Sequence, residues 1–208
     1  MINKVELIKK DEFLTSEWSG GTTTEIAIYP KDSIYGEKNF TWRLSSAKVE
    51  MEESNFTSLP GINRIIMVLE GRLKLEHIGH HECTLEPFQQ DSFSGSWETK
   101  SYGKVVDFNL MMNHQCDGKL EPIVIKKDEK KRIILKANEK YQKRTQTIYC
   151  VSGEVKIYIL NGETLYLNQG DAALLTIGNF QELEYAISNE NSNISRLVKA
   201  DIIYGWPI

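Results

Sequence analysis

The sequence has little of what usually holds a small catalytic centre together. Its 208 residues include three cysteines and four histidines. Cys83, Cys116 and Cys150 lie far apart without a CxxC pair, which argues against a disulfide framework and against a thiolate zinc site. No apolar run approaches the roughly 20 residues of a membrane span. The start, Met1-Ile2-Asn3-Lys4-Val5-Glu6, lacks the apolar stretch of a signal peptide. The expectation is a soluble, cytoplasmic protein with no membrane partner. Excess positive charge is missing too: 25 Lys and Arg face 29 Asp and Glu, a net charge of −4. The one dense charge run, from Lys126 to Arg132, nearly cancels itself. Without a basic field to collect phosphates, no nucleic-acid partner is expected.

Long helical periodicity is also absent, and the best helix-like stretch, Lys9 to Leu14, is short. Short segments rich in Val, Ile, Leu, Thr and aromatics alternate with Gly, Asn and Asp turns, which predicts an almost entirely β protein. Strands are expected at Thr23 to Tyr29, Thr41 to Val49, Arg64 to Leu69, Arg72 to Glu76, Val105 to Met111, Thr147 to Val151, Glu154 to Leu160 and Thr164 to Leu167. An internal repeat organises them. Val68-Leu69-Glu70-Gly71-Arg72-Leu73-Lys74-Leu75 aligns with Cys150-Val151-Ser152-Gly153-Glu154-Val155-Lys156-Ile157, the two glycines standing 82 residues apart. Further on, Thr84-Leu85 falls on Thr164-Leu165 and Asp91-Ser92-Phe93 on Asp171-Ala172-Ala173. A spacing of this size fits two small barrels in tandem, residues 1–116 and 117–208. The seam is expected within 117–138, where Gly, Pro and charge cluster.

The second unit resembles the cupin signature, G(x)5HxH(x)3-4E(x)6G followed by G(x)5PxG(x)2H(x)3N, in its glycines but not in its ligands. Counting from Gly162, the proline place is Asn168, the glycine is Gly170 and the histidine place is Ala173. Counting back from Gly153, Gln146 stands at the glutamate place and Tyr141 or Gln142 at a histidine place. In the first unit Gly71 puts Arg64 at the glutamate place, Leu59 or Pro60 at a histidine place, and Phe93 opposite Ala173. The fold class expected is therefore all-β, two cupin-like antiparallel barrels of the RmlC-like jelly-roll type, a bicupin. Metal ions of these barrels need converging His and carboxylate ligands, so no metal or other cofactor is expected. His77, His80, His81 and Cys83 fall in the hairpin turn of the first unit and are expected to face solvent, outside the barrel.

What the first unit does have is polar side chains on strands that also carry large apolar ones. Period-two geometry puts Arg43, Ser45 and Ala47 on one face of their strand, and Asp107, Asn109 and Met111 on one face of theirs. Two arginines near an apolar interior need partners, because an uncompensated buried charge costs several kcal/mol. An internal bridge from Arg43 or Arg64 to Asp107, Glu25 or Glu70 meets that need. A carboxylate ligand meets it equally, since a guanidinium grips a carboxylate bidentately. Trp18-Ser19-Gly20-Gly21-Thr22-Thr23-Thr24-Glu25 adds a glycine turn ahead of a hydroxyl-rich strand, and Phe56 to Gly61 forms a loop entering the Arg64 strand.

Taken in order, the segments Trp18 to Glu25, Trp42 to Ala47, Phe56 to Arg64, Leu69-Glu70-Gly71, Phe93-Ser94-Gly95 and Asp107 to Met111 resemble the HutD family, also called Ves. The resemblance implies a metal-less bicupin associated with bacterial histidine utilisation, binding a pathway intermediate such as formylglutamate or urocanate. Ser19, Ser96 and the Asn113-His114 pair depart from the family's usual residues. Both ligands are small carboxylates, which agrees with the arginine argument made from the residues alone.

The function expected is a non-catalytic regulatory protein that binds a small carboxylate. In this picture Arg43 and Arg64 hold the carboxylate, Ser45, Thr23 and Asn109 supply hydrogen bonds, Trp18 and Phe93 give apolar walls, and Asp107 orients an arginine. The alternative is a metal-independent isomerase, epimerase or lyase acting on a small organic acid or sugar, with Asp107, Glu25 or Glu70 as base. A third reading makes the polar residues an internal network only, with exposed sheet edges available for a homodimer.

Overall fold

A computed structural model describes residues 4–205. Antiparallel strands account for 63% of them, and among the described residues the only helical elements are single 3-10 turns at Lys10–Glu12 and Tyr35–Glu37. The helix-like stretch beginning at Lys9 thus closes one turn and stops. Packing divides the chain into Phe13–Cys116 and a second unit, which joins the segment ending at Glu12 to the chain from Asp117 onward.

The first unit has two sheets. Six strands run in the order Leu14–Trp18, Gly21–Tyr29, Trp42–Val49, Val105–Met112, Asn63–Gly71, Gln90–Ser94, and four in the order Glu53–Asn55, Thr99–Tyr102, Leu73–His77, Glu82–Leu85. The second unit pairs Lys4–Ile8, Ala172–Gly178, Lys143–Ser152, Ser195–Tyr204 and Cys116–Ile125 in one sheet, and Lys130–Lys136, Glu182–Ser188, Glu154–Ile159 and Thr164–Asn168 in the other. The two four-stranded sheets take their strands from the chain in the same relative order, which is the structural form of the repeat. Each unit is thus a pair of open sheets, whereas closed barrels were expected; strand pairing stops at the sheet edges.

Alternation along the strands supplies the cores. Leu73 and Leu75 point inward while Lys74 points out, and Val155, Ile157 and Ile159 alternate likewise with Glu154, Lys156 and Tyr158. In the first unit Ile66, Val68 and Phe93 of the large sheet pack with Leu73, Leu75 and Leu85 of the small one. Each such side chain contributes about 1.5–3 kcal/mol when buried. The second unit closes in the same way, with Ile148, Leu175 and Leu197 against Ile157, Leu167 and Ile187.

Gly71 and Gly153 carry the chain from one sheet to the other at φ 86° and 80°. A Cβ on Gly71 would stand 2.4 Å from the Lys104 carbonyl oxygen, a backbone atom that cannot step aside. Gly79, at φ 78°, has open space around it. Gly71→Ala is therefore expected to lose about 3 kcal/mol or more, from left-handed strain plus the clash, and Gly79→Ala only about 1. Urea denaturation of the two variants measures the difference.

One sequence expectation is corrected. Lys4–Ile8, assigned on sequence grounds to the first unit, pairs with Ala172–Thr176 in the second. Lys9 Nζ holds Asp171 Oδ2 at 2.7 Å and the Lys10 amide donates to Asp171 Oδ1 at 3.0 Å, so the chain start is fastened there. The division between the units falls between Cys116 and Asp117, and the stretch 117–138 is itself largely strand. It forms most of Cys116–Ile125 and all of Lys130–Lys136, because its charged residues alternate with Leu120, Ile123, Ile125 and Leu135, which are buried.

Candidate functional site

Cross-strand pairing fixes which side chains share a face, since residues directly opposite one another project to the same side. On the face of the six-stranded sheet that meets the four-stranded one, three rows result. The first runs Ile28, Arg43, Met111, Arg64, Phe93; the second Glu25, Ser45, Asn109, Ile66, Asp91; the third Thr23, Ala47, Asp107, Val68. Two irregularities shape this arrangement. A bulge between Glu25 and Ala27 turns Ile26 out of the pairing. Another register shift lies between Val106 and Asp107.

Arg43 is paired. Its Nε donates to Glu25 Oε2 at 2.7 Å, Nη1 donates to Ser45 Oγ at 3.1 Å, and the guanidinium lies 4.3 Å from the centre of the Tyr35 ring. Of the bridges foreseen, this is the one that forms, and Ser45 serves the arginine. Glu70 is exposed.

Arg64 is different. It is buried, yet its Nε has no hydrogen-bond partner, and among the described residues it makes no ion pair within 4.0 Å. Its guanidinium is held over two rings, 4.6 Å from the centre of Phe56 and 5.2 Å from that of Phe93. Cation–π contact contributes about 2 kcal/mol or more in a desolvated setting, well short of replacing lost hydration. Burial pushes the Arg64 pKa down to about 10, so it remains a cation at neutral pH. Diagonally across the sheet, Asn109 is buried with its Oδ1 unpartnered. One charged donor and one acceptor thus stand orphaned on adjacent rows.

Asp107 is also buried, and its carboxyl is pushed up to about 7 by desolvation, against the pull of Arg64 and a backbone hydrogen bond from Ala47. It forms no ion pair with either arginine among the described residues. Thr23 is half-buried in the Asp107 row, and Phe93 walls the Arg64 end. Trp18 stands apart. It is 40% exposed, and its ring covers the Gly20 turn beside Met51, at the strand ends away from Arg43. The Gly20-Gly21 turn is occupied by that ring.

Two contributors escaped the sequence reading. Tyr35 and Phe56 come from segments between strands, and nothing in their spacing marks them as ring platforms for arginines. His77 is a third surprise. Expected in a solvated turn, it ends a strand instead, with its side chain fully buried against Phe93 at 4.5 Å between ring centres. Burial lowers its pKa, and Asp91 opposes the shift.

The second unit offers a contrast at the place matching Arg64. Gln146 donates through Nε2 to Asp201 Oδ2 at 3.1 Å and accepts from Tyr185 at 2.7 Å. Arg144 grips Asp201 with two hydrogen bonds of 2.7 and 2.6 Å. That network closes on itself, and the orphan recorded nearby is the neutral hydroxyl of Thr147.

Solved structures of similar shape span the whole chain. A protein of unknown function from Pseudomonas aeruginosa PAO1 is 22% identical, with 96% of this chain and 99% of that one covered at TM-score 0.79. HutD from Pseudomonas fluorescens SBW25, in a formate condition, is 24% identical, with 97% and 100% covered at 0.73. Bacterial pirin from Escherichia coli, in complex with nickel(II), is 14% identical, with 97% and 100% covered at 0.67. The fold is thus all-β with cupin-like neighbours. No curated protein matches the sequence. The part of this face around Arg64 does not suit a metal of the kind pirin holds: two guanidinium groups, one amide and one carboxyl that burial holds towards its neutral form do not converge as ligands, and Glu25 is taken by Arg43 while Asp91 lies at the far edge beside His77 and His81. The HutD family model matches residues 10–193, and the chain belongs to that family.

Proposed function

We propose that the first unit binds a small carboxylate that also carries an N–H donor, and that it does so without transforming it, in the service of histidine utilisation. The observation that carries this reading is the buried Arg64 guanidinium, whose Nε has no hydrogen-bond partner and which makes no ion pair among the described residues, while Asn109 Oδ1 lacks a donor. Arg43 and Glu25 pair with one another and Asp91 is engaged by His77 and His81, so Arg64 is the cation of this face left without an ion pair among the described residues. One carboxylate group of a ligand pairs with it, and an N–H on the same ligand satisfies Asn109. Such charge-assisted bonds contribute roughly 1.5–3 kcal/mol each. Formylglutamate and urocanate both combine a carboxylate with an N–H and are the candidate ligands; membership of the HutD family supports them. The bicupin arrangement, the cytoplasmic location and the assignment of Ser45, Thr23 and Phe93 to the ligand's surroundings belong to the same proposal.

A second reading rests on Asp107. A carboxyl at about 7 has the pKa of an effective general base, which suits a metal-independent isomerase, epimerase or lyase. The two are separated by one experiment: each acid is followed by NMR with stoichiometric protein while thermal melting reports occupancy. The binding protein shows a saturable rise in melting temperature with the acid recovered unchanged. Conversion of the acid, lost in Asp107→Asn, replaces this reading with the enzymatic one.

A further inference from the structure

At the Asp91 edge of the same face, beyond Phe93, one group of side chains is arranged for chemistry that nothing above uses. Asp91 Oδ2 lies 2.9 Å from His77 Nε2 and 3.0 Å from His81 Nε2, and all three atoms fall within 4.8 Å of one another. We propose that His77, His81 and Asp91 form a binding site for one divalent transition-metal ion of the zinc class.

The geometry is close to what such an ion needs. Tetrahedral coordination with bonds of about 2.0–2.1 Å spaces neighbouring ligand atoms roughly 3.3–3.4 Å apart. The two Asp91 contacts therefore open by only a few tenths of an ångström to admit the ion. The rings are held at 4.6 Å between centres with a 41° tilt, and each directs Nε2 at the same carboxylate oxygen. The surroundings of His77 fix its orientation. Thr99 Oγ1 is 2.8 Å from Nδ1 and itself reaches the Trp97 carbonyl at 3.4 Å, while Phe93 and Trp97 bracket the ring. In the tautomer whose Nδ1–H donates to Thr99 Oγ1, with the Thr99 hydroxyl turned to the Trp97 carbonyl, the Nε2 lone pair faces the carboxylate oxygen. Two acceptors face to face repel, and a cation between them satisfies both. A polar group fixing the far nitrogen of a ligating histidine is the usual outer support of such sites.

Two imidazoles and one carboxylate select zinc, nickel or cobalt over magnesium or calcium, which prefer all-oxygen shells. His77 is closed to water, Asp91 is 17% exposed at its side chain and His81 40%. The ion thus enters from the His81 side and keeps an open position there. These residues are separate from the cupin ligand places, which hold Arg64, Leu59 or Pro60, and Phe93. The inference does not rest on carboxylate binding.

The test uses full-length protein without a histidine tag, stripped with chelator and titrated with zinc against a chromophoric chelator. One ion per chain is expected. His81→Ala, at a half-exposed position, and Asp91→Asn, which keeps the side chain's shape, each weaken binding about tenfold or more. His80→Ala leaves it unchanged, because that ring is stacked on Trp97 at 3.8 Å between centres and takes no part. Circular dichroism and melting confirm that the variants fold. No stoichiometric zinc in wild type, or binding that persists in both ligand variants, overturns the site.

Discussion

Replacing Arg64 with methionine raises the melting temperature of the ligand-free protein and abolishes its response to small acids. Both effects have one cause. The Arg64 guanidinium is buried without a hydrogen bond at Nε and, among the described residues, without an ion pair, so folding strips its hydration and returns chiefly contact with Phe56 and Phe93. Methionine fills similar volume, packs well on aromatic rings and carries no charge. Exchange of poorly compensated buried charge for an apolar side chain is stabilising by about 1–4 kcal/mol. In a chain of this size each kcal/mol moves the midpoint by roughly 2–4 °C. The gain is read most cleanly near pH 5, where Asp107 is neutral and loses no attraction when the cation goes. A residue kept only for internal structure behaves oppositely, and Arg43→Met is the comparison: it leaves Glu25 without its partner and lowers stability.

The second large effect follows from Asp107. Its carboxyl sits at about 7 in the folded protein, against about 3.9 when unfolded. Between those values the unfolded chain has released its proton and the folded chain has kept it. Fewer protons are bound on unfolding, so stability falls as pH rises from about 4 to about 7 and then levels. A span of about three pH units corresponds to on the order of 4 kcal/mol. Asp107→Asn removes this fall. Variant and wild type are expected to match near pH 4 and to separate steadily above it, the variant being more stable by a few kcal/mol at pH 8. Denaturation at a series of pH values provides the check, and parallel curves for the two proteins would remove Asp107 from the account.

These predictions depend partly on features legible in the sequence and partly on features that are not. Gly71 and Gly153 expose the repeat because the same turn, needing the same φ, recurs with the same flanking alternation. Period two likewise groups Arg43 with Ser45, and Asp107 with Asn109, as the registers have them. Local pattern cannot deliver what long-range pairing decides. Lys4–Ile8 has a strand's composition, but its partner lies at Ala172–Thr176, and no local signal names that partner. Glu25 meets Arg43 through a bulge, which a strict alternation cannot place. His77 looked solvated because a turn follows it. It is buried because Thr99, Phe93 and Asp91, distant in sequence, arrive from neighbouring strands. Trp18 was assigned to the ligand's surroundings from its glycine turn, yet the absent Cβ of Gly20 is what lets the Trp18 ring fold back over that turn.

The central claim is that Arg64 awaits a carboxylate, and calorimetric titration of the wild-type protein with urocanate and with urocanate amide tests it most directly. The two compounds share the imidazole N–H and differ in charge at one group. The account predicts saturable binding of one urocanate per chain and an amide weaker by about 100-fold, the loss of a charge-assisted pair worth roughly 3 kcal/mol. If the acid and its amide bind equally, or if neither urocanate nor formylglutamate releases heat at any concentration, Arg64 is not a carboxylate receptor and the proposal fails.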